Sequence, residues 1–159
     1  MRPEPRPLWS LPHRYTDVYK QFGAYVCPHT KRFPEEPAVC LLCGALLCAG
    51  TSCCKRHGQG ALTRHVTCCG AGTGLFFLVH RSGTLLLRGP YAAYSISPYV
   101  DAHGEEDASL RRGGRGAAPL HLDPERMRQL SRLWASHAIG AEVVRERVMR
   151  ERVIRESYY

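Results

Sequence analysis

The chain has 159 residues, of which 44% are apolar, and a formal net charge of +8 at pH 7. This length suits one domain with a hydrophobic core, or a metal-binding module with a second small layer, and no apolar run approaches the roughly 18 residues of a membrane-spanning helix. The positive charge permits nucleic-acid binding, but arginines are interspersed with glutamates and no aromatic side chains accompany the basic cluster of Arg111, Arg112 and Arg115, so a nucleic-acid partner is not favoured.

The N-terminal region divides into an arm and a helix. Residues 1–7 are rich in proline and arginine, which predicts a disordered, extended arm. Within residues 8–26, apolar side chains recur at helical spacing after Pro12. This pattern predicts a short amphipathic helix that docks onto the cysteine-rich region and whose apolar positions are Leu11, Tyr15, Val18, Tyr19 and Phe22.

All eight cysteines lie between Cys27 and Cys69, in a loop-rich region of residues 27–72 that is punctuated by glycines. Two residues separate Cys40 from Cys43, so one tight turn can present both thiolates to a tetrahedral zinc ion. A second segment can supply the other two ligands. The sequence therefore predicts a zinc site, on which folding of this region depends, made of Cys40, Cys43, His65 and Cys69.

A second zinc site can be assembled from the remaining cysteines, so one or two ions are expected. Its ligands would be Cys27, Cys48 and one of the adjacent Cys53 and Cys54, of which Cys54 is assigned to the site. Adjacent cysteines rarely bind one ion together with relaxed backbone geometry. We therefore expect at least one thiol of each adjacent pair to be a small buried apolar residue.

Other residues of this region compete for the ligand positions. Cys68 precedes Cys69 directly, and only one of these two thiols is expected to bind metal. His29 and His57 lie close enough in the sequence to compete with His65. Cys69 and His65 form the more economical set, because they complete four ligands with the Cys-x2-Cys turn.

A disulfide framework is the alternative interpretation of eight cysteines. The first 26 residues carry four basic side chains and have no apolar segment typical of a secretory signal, so we expect an intracellular protein with reduced thiols. A cytoplasmic or nuclear location follows as an expectation. In such a compartment a Cys-x2-Cys turn is better explained by zinc than by disulfides.

Residues 74–100 are typical of a β-hairpin followed by a third extended segment. Two apolar runs, Leu75–Val79 and Thr84–Leu87, flank a short turn that contains Gly83. Both runs are apolar at consecutive positions, which indicates that both faces of the sheet are covered. The third segment spans Tyr91–Val100.

Residues 101–140 contain a polar loop and a helix. Asp101 and Glu105 are suited to pair with Arg111 and Arg112, which would hold the loop against the hairpin. Asp123 followed by a proline predicts a helix start, with the aspartate as N-cap. The helix should extend from Pro124 to about His137 and bury Met127, Leu130, Leu133 and Trp134.

The final residues, 141–159, are predicted to form a charged helical tail. Their apolar residues recur about every five positions, which winds the apolar stripe around the helix so that no single face is buried. The pairs Glu146–Arg150 and Glu151–Arg155 support a partly solvated helix.

These elements together predict an α+β fold in which a small loop-rich zinc module packs with a β-hairpin or small antiparallel sheet and C-terminal helices. The module, hairpin and first C-terminal helix form one domain over residues 8–140. No catalytic residue is predicted, because Ser95 and Ser97 lack the flanking residues and the His/Asp pair of a nucleophilic serine.

A series of short motifs carries a family resemblance over about residues 8–140. The motifs are Cys40 to Gly44, Leu47 and Cys48, Cys53 and Cys54, His65, Cys69 to Phe77, Ser97 to Glu105, Asp107, Leu110 to Gly113, Pro119 to Leu122, and Leu133, Trp134 and His137. In this order they resemble the C-terminal domain of the UBR-family N-recognins, the RING-type E3 ubiquitin ligases of the N-degron pathway that include the plant proteolysis-6 type.

The resemblance implies zinc binding and a part in the ubiquitin-dependent destruction of proteins with destabilising N-terminal residues. The implied partners are the remainder of the ligase, an E2 enzyme and ubiquitin. These residues contain no counterpart of the UBR box and no complete RING, so the chain alone is expected to be inactive and structural within a ligase. The alternative is a free-standing zinc-binding adaptor that binds protein or nucleic acid through Arg111–Arg115.

Overall fold

The computed structural model describes residues 7–49, 53–111 and 119–149, and it confirms an α+β fold. None of the described helices combines the length and the apolar character that crossing a bilayer requires. In chain order the elements are α1 (Tyr15–Phe22), β1 (Glu36–Cys40), β2 (Leu46–Ala49), α2 (Ala61–Cys69), β3 (Thr73–Leu78), β4 (Gly83–Arg88), β5 (Tyr91–Ser95), β6 (Tyr99–Val100), α3 (Ala108–Arg111), β7 (His121–Leu122), α4 (Pro124–Ala135) and α5 (Ile139–Met149).

Five of the strands form one antiparallel sheet in the order β2-β1-β3-β4-β5. The predicted hairpin is β3 and β4, with Phe76 opposite Leu85, and β5 extends it with Ala93 opposite Leu86. The strands β6 and β7 pair separately as a two-stranded ribbon. The hairpin is therefore the centre of a larger sheet that also includes two strands of the cysteine-rich region.

Both faces of the sheet are covered, which explains why its strands are apolar at consecutive positions. Successive side chains of a strand point to opposite faces. Phe77 accordingly joins the core formed with α1, α4 and α5, whereas Phe76 packs with α2. Both rings are fully buried, and burial of one such side chain contributes roughly 1.5–3 kcal/mol.

The cysteine-rich region is less loop-rich than its glycines predict, because it contributes β1, β2 and α2. β1 is buried along its whole length between β2 and β3, which supply its hydrogen-bond partners. α2 begins directly after Gly60 and buries Leu62 and Val66 against the sheet. Packing of β1 on β3, of β2 on β1 and of α2 on the sheet stabilises these short elements.

The predicted helix after Pro12 is α1, and it packs in the core cluster that also contains Val39 and Leu41 of the cysteine-rich region. Val18 is fully buried in the same core cluster as Phe77. The Tyr15 hydroxyl donates a hydrogen bond to the carbonyl oxygen of Val79, at the end of the hairpin's first strand. The residues before α1 add a further contact with the cysteine-rich region, because the backbone N–H of Trp9 donates to the carbonyl oxygen of Leu41.

The helix predicted after Asp123 is α4. The Asp123 carboxylate caps it by accepting a hydrogen bond from the backbone N–H of Glu125, at 2.9 Å. α4 ends at Ala135, before His137, which has a left-handed backbone with φ of 56°. Leu130 is fully buried, and the other predicted apolar positions are half-buried against the same core, namely Met127, Leu133 and Trp134.

The last described helix, α5, begins at Ile139, and its first turns belong to the core rather than to a separate tail. Ile139 and Val143 are buried, one helical turn apart, where α5 packs on β4 and β5. The apolar stripe then winds away as predicted, because Val144 and Val148 are exposed. The predicted Glu146–Arg150 and Glu151–Arg155 pairs involve residues outside the described part of the chain.

The loop after β6 is held by its own turn and by α4, and the predicted pairs of Asp101 and Glu105 with Arg111 and Arg112 involve side chains outside the described part of the chain. The Asp101 carboxylate accepts hydrogen bonds from the backbone N–H groups of His103 and Glu105, at 2.8 and 3.0 Å, and so closes its own turn. Arg126 of α4 ties the loop to the core through Glu106. The Arg112–Arg115 cluster, the side chain of Arg111 and residues 1–6 of the N-terminal arm lie outside the described residues.

Candidate metal centres

A tight turn between β1 and β2 presents the first pair of thiols. The backbone N–H of Gly44 donates to the carbonyl oxygen of Cys40 at 2.7 Å, and Gly44 has φ of 80°. The Trp9 ring lies against Gly44, and the backbone N–H of Trp9 donates a hydrogen bond to the carbonyl oxygen of Leu41 at 2.7 Å. The residues before α1 thus close over the turn that carries Cys40 and Cys43.

The structure brings together the four residues of the first predicted site. Their candidate ligand atoms all lie within 4.8 Å of one another, and the group consists of Cys40, Cys43, His65 and Cys69. His65 and Cys69 are four residues apart on α2, which places them on one face of the helix. The Cys40 and Cys69 sulfurs are 3.9 Å apart, and the Cys43 sulfur is 3.3 Å from His65 Nε2.

A second group of four thiols contains Cys27, Cys48, Cys53 and Cys54, whose sulfurs also lie within 4.8 Å of one another. The Cys54 sulfur is 3.0 Å from that of Cys27, 3.9 Å from that of Cys48 and 3.8 Å from that of Cys53. These residues come from the segment after α1, from β2 and from the turn after β2, so the group joins three separate stretches of chain.

Cys53 and Cys54 both belong to this group, contrary to the expectation that one of two adjacent thiols turns away as a buried apolar residue. Cys54 has a left-handed backbone with φ of 60°, and this turn of the chain accompanies the placement of both the Cys53 and the Cys54 sulfur in the one group of thiols. Cys68 also departs from that expectation, because it is exposed rather than buried, although it lies outside both groups. The spacing of the cysteines does not indicate a left-handed residue at Cys54, so Cys53 is absent from the predicted ligand set.

The thiols differ in electrostatic surroundings. Burial raises the pKa of the Cys40 thiol to about 12 and that of Cys54 to about 11. At Cys27, burial acts in the same direction, but hydrogen bonds from Thr30, Cys54 and nearby backbone N–H groups outweigh it and lower the pKa to about 5. The surroundings of Cys27 therefore already stabilise a thiolate, which is the form that binds metal.

His65 completes the first group as a neutral ligand. Burial lowers its pKa, so the imidazole carries a free lone pair at pH 7. His29 and His57, the competing histidines, belong to neither group of the described residues. Among the described residues the structure thus places the His65 imidazole, and not those of His29 and His57, among the candidate ligand atoms.

Both groups fit zinc better than disulfides. Two sulfurs bound to one tetrahedral zinc ion are about 3.8 Å apart, given a zinc–sulfur distance of about 2.3 Å. The closest sulfurs are 3.0 to 3.9 Å apart and all eight cysteines are free thiols, whereas a disulfide bond measures about 2.05 Å. The donor sets, four thiols in one group and three thiols with one imidazole in the other, are typical of closed structural zinc sites.

Ser97, between β5 and β6, has a structural role. Ser97 is buried, its hydroxyl lies 3.2 Å from that of Ser82, and it accepts a hydrogen bond from the backbone N–H of Tyr99. It is therefore engaged in holding the start of β6.

Comparison with known proteins identifies related sequences. Residues 1–136 match the model of a family described as Proteolysis_6 C-terminal. The chain is 39% identical to E3 ubiquitin-protein ligase UBR3 of Mus musculus over 130 residues, 37% identical to E3 ubiquitin-protein ligase UBR2 of Mus musculus over 142 residues, and 34% identical to E3 ubiquitin-protein ligase ubr1 of Schizosaccharomyces pombe over 140 residues.

These alignments cover most of this chain but little of the relatives. They include 82%, 86% and 87% of the chain, respectively, and 7%, 8% and 7% of the length of the three ligases. The similarity therefore concerns one small segment of each ligase. The two groups of metal-ligand residues lie inside the region that matches the family model.

Proposed function

The chain belongs to the Proteolysis_6 C-terminal family and is homologous to UBR-family E3 ubiquitin-protein ligases, and on this basis we propose that it is the zinc-binding C-terminal module of such a ligase. The observation that carries the proposal is the pair of four-donor groups within the matched region. Each group draws its ligands from segments that are far apart in the sequence.

The proposed role of the module is structural. Cys40, Cys43, His65 and Cys69 would hold one zinc ion, and Cys27, Cys48, Cys53 and Cys54 a second. Bound zinc supplies a tetrahedral cross-link without redox chemistry. All four donors of each group come from the protein, so neither site keeps the open position that a catalytic zinc requires.

In the proposed setting, the module stabilises the scaffold of an intracellular ligase, cytoplasmic or nuclear, of the N-degron pathway. The rest of that ligase would recognise destabilising N-terminal residues and bind the E2 enzyme and ubiquitin. The resemblance to the RING-type N-recognins supports this setting, and so do the names of the similar proteins, which are all E3 ubiquitin-protein ligases. The module itself contributes no catalytic side chain.

Adjacent cysteines on α2 offer a matched test of the metal sites. We expect the purified chain to contain one zinc ion per group, Cys69→Ser to lose the zinc of the first group, and Cys68→Ser to retain both, because only Cys69 lies among the ligand atoms. Elemental analysis measures the zinc, and a thermal melt shows whether the fold depends on it. The proposal is overturned if zinc-free protein melts at the same temperature as the zinc-loaded chain, or if Cys68→Ser and Cys69→Ser lose equal amounts of zinc.

A further inference from the structure

An open cleft of about 350 Å³ lies between the two metal-ligand groups. Cys48 and Cys54 of one group and His65 of the other form part of its wall. Its volume is within the range of about 300–1,000 Å³ that is usual for ligand pockets.

The rest of the lining is largely apolar. Leu46 and Leu47 of β2, with Pro28 and Ala61, provide aliphatic surface, and Tyr25 adds one aromatic ring. Both leucines are half-buried, so part of their surface remains accessible. An aliphatic side chain of a partner would remove this surface from water.

Cationic and polar donors occur on the same cleft. Arg64 is held in place because its Nη1 donates to the carbonyl oxygen of Gln59 at 2.9 Å. The guanidinium has five N–H donors, and none of the ion pairs between described residues involves Arg64. His29 is exposed on the lining, so a carboxylate in the cleft would meet two nitrogen donors.

We propose that this cleft binds an acidic peptide segment in which an aliphatic side chain adjoins a carboxylate. The aliphatic side chain would contact the Leu46 and Leu47 surface, and the carboxylate would bind the fixed Arg64 guanidinium. A nucleic-acid strand fits less well, because stacking of successive bases needs several large aromatic faces and Tyr25 is the single Phe, Tyr or Trp among the described lining residues.

This inference rests on the proposed zinc module, because the two metal-ligand groups form walls of the cleft. Zinc content is therefore measured before binding. Zinc-free protein contradicts the proposed function, whereas zinc-loaded protein that does not bind the peptide contradicts the cleft alone.

The test uses the full zinc-loaded chain and NMR titration with a blocked glycine–glutamate–leucine–glutamate–glycine peptide. The matched probe replaces both glutamates by glutamines, and a ten-nucleotide thymidine strand represents nucleic acid. We expect the acidic peptide to shift cleft resonances. Arg64→Gln should weaken its binding by about tenfold, because a charge-assisted hydrogen bond is lost. Lys20→Gln, on exposed α1 surface, removes the same charge and should bind as the parent does.

Equal binding of the glutamine peptide, shifts outside the cleft, or preferential binding of the thymidine strand would overturn the proposal. If Arg64→Gln loses zinc, its peptide binding no longer reports on the cleft alone. Peptide binding by His29→Gln is then measured instead, because His29 is exposed and belongs to neither metal-ligand group. Weaker peptide binding by that variant supports the proposal, and unchanged binding overturns it.

Discussion

At the residue scale, Gly44 shows how one position shapes the first metal-ligand group. Its φ of 80° lies in the region that favours glycine, and it follows Cys43 directly in the turn. A Cβ atom at this position would lie 2.6 Å from the Trp9 ring. Gly44 therefore permits both the turn and the close approach of Trp9.

Gly44→Ala should lower stability by about 1–3 kcal/mol and weaken zinc binding, because alanine is strained at this φ and displaces Trp9. Gly89→Ala is the matched control, since Gly89 also has positive φ, 54°, but has open space where a Cβ would lie. Urea unfolding and competition with a chelating dye measure the two effects. Equal losses in both variants would show that the Trp9 contact contributes nothing.

Glu36 is a buried carboxylate that no sequence pattern singles out. One of its oxygens accepts hydrogen bonds from the backbone N–H groups of His80 and Arg81, at 2.7 and 3.2 Å, and so holds the turn after β3. Burial raises its pKa above the ordinary 4.5, although these hydrogen bonds and the charges of His80 and Arg81 oppose the rise. Ionised Glu36 therefore costs the folded state free energy at neutral pH.

Glu36→Gln should gain stability relative to the parent as pH rises. A raised pKa in the folded state contributes stability below the unfolded value near 4.5, and that contribution is lost as pH rises through the folded value. The amide oxygen of glutamine can still accept both N–H groups. Melts at pH values from about 5 to 8 measure the difference, with exposed Glu35→Gln as control. A difference that does not change with pH would contradict this account of Glu36.

At the element scale, Arg126 joins α4 to the loop around β6. Its Nη1 donates to the carboxylate of Glu106 at 2.8 Å and to the carbonyl oxygen of Ser97 at 3.1 Å. The Arg126 and Glu106 side chains are 22% and 21% exposed, so solvent screens this pair less than a surface pair. The contact positions the loop against the helix that follows it in sequence.

Arg126→Met should lower the free energy of unfolding by about 1–3 kcal/mol and leave zinc content unchanged, because it removes hydrogen bonds to a half-buried carboxylate but touches neither metal-ligand group. Arg128→Met is the matched control. It breaks an exposed pair with Glu125 in the same helix and should cost less than about 1 kcal/mol. If Arg126→Met keeps its melting temperature but loses association with the remaining ligase, the loop is a docking surface instead.

At the scale of the whole molecule, the sheet and the two metal-ligand groups support one another. The first group joins the β1–β2 turn to α2, and the second joins β2 to the segments around Cys27 and Cys54. β1 pairs with β3 of the central hairpin, and β2 pairs with β1 at the edge of the sheet. Metal loss would therefore disturb the edge of the sheet as well as the loops.

The isolated chain should not conjugate ubiquitin. Transfer by a RING-type ligase requires that the E2 conjugate and the substrate be held near each other, and we propose that other parts of the ligase do this. A reaction with E1, E2, ubiquitin and the zinc-loaded chain should give no conjugates, while one of the full-length relatives serves as positive control. Conjugation that depends on this chain would mean that the metal module has an activity of its own.

The sequence by itself determined the features that depend on neighbouring residues. Two residues between Cys40 and Cys43 predict a metal-binding turn, and Asp123 before a proline predicts the cap of α4, because a few consecutive backbone groups decide each. The hairpin of β3 and β4 follows from two apolar runs around a short turn. The ordered motifs also indicated the family that the comparisons show.

The tertiary structure alone decided which distant segments meet. β1 and β2 are short, and they form strands because β1 pairs with β3, which is distant in the chain, and β2 pairs with β1, contacts that local propensity does not indicate. Cys53 joins the second group because Cys54 adopts a left-handed backbone, and Ile139 and Val143 are buried because β4 and β5 lie beneath α5. For β1 and α5 the stabilising free energy comes from contacts between segments that the sequence pattern does not connect.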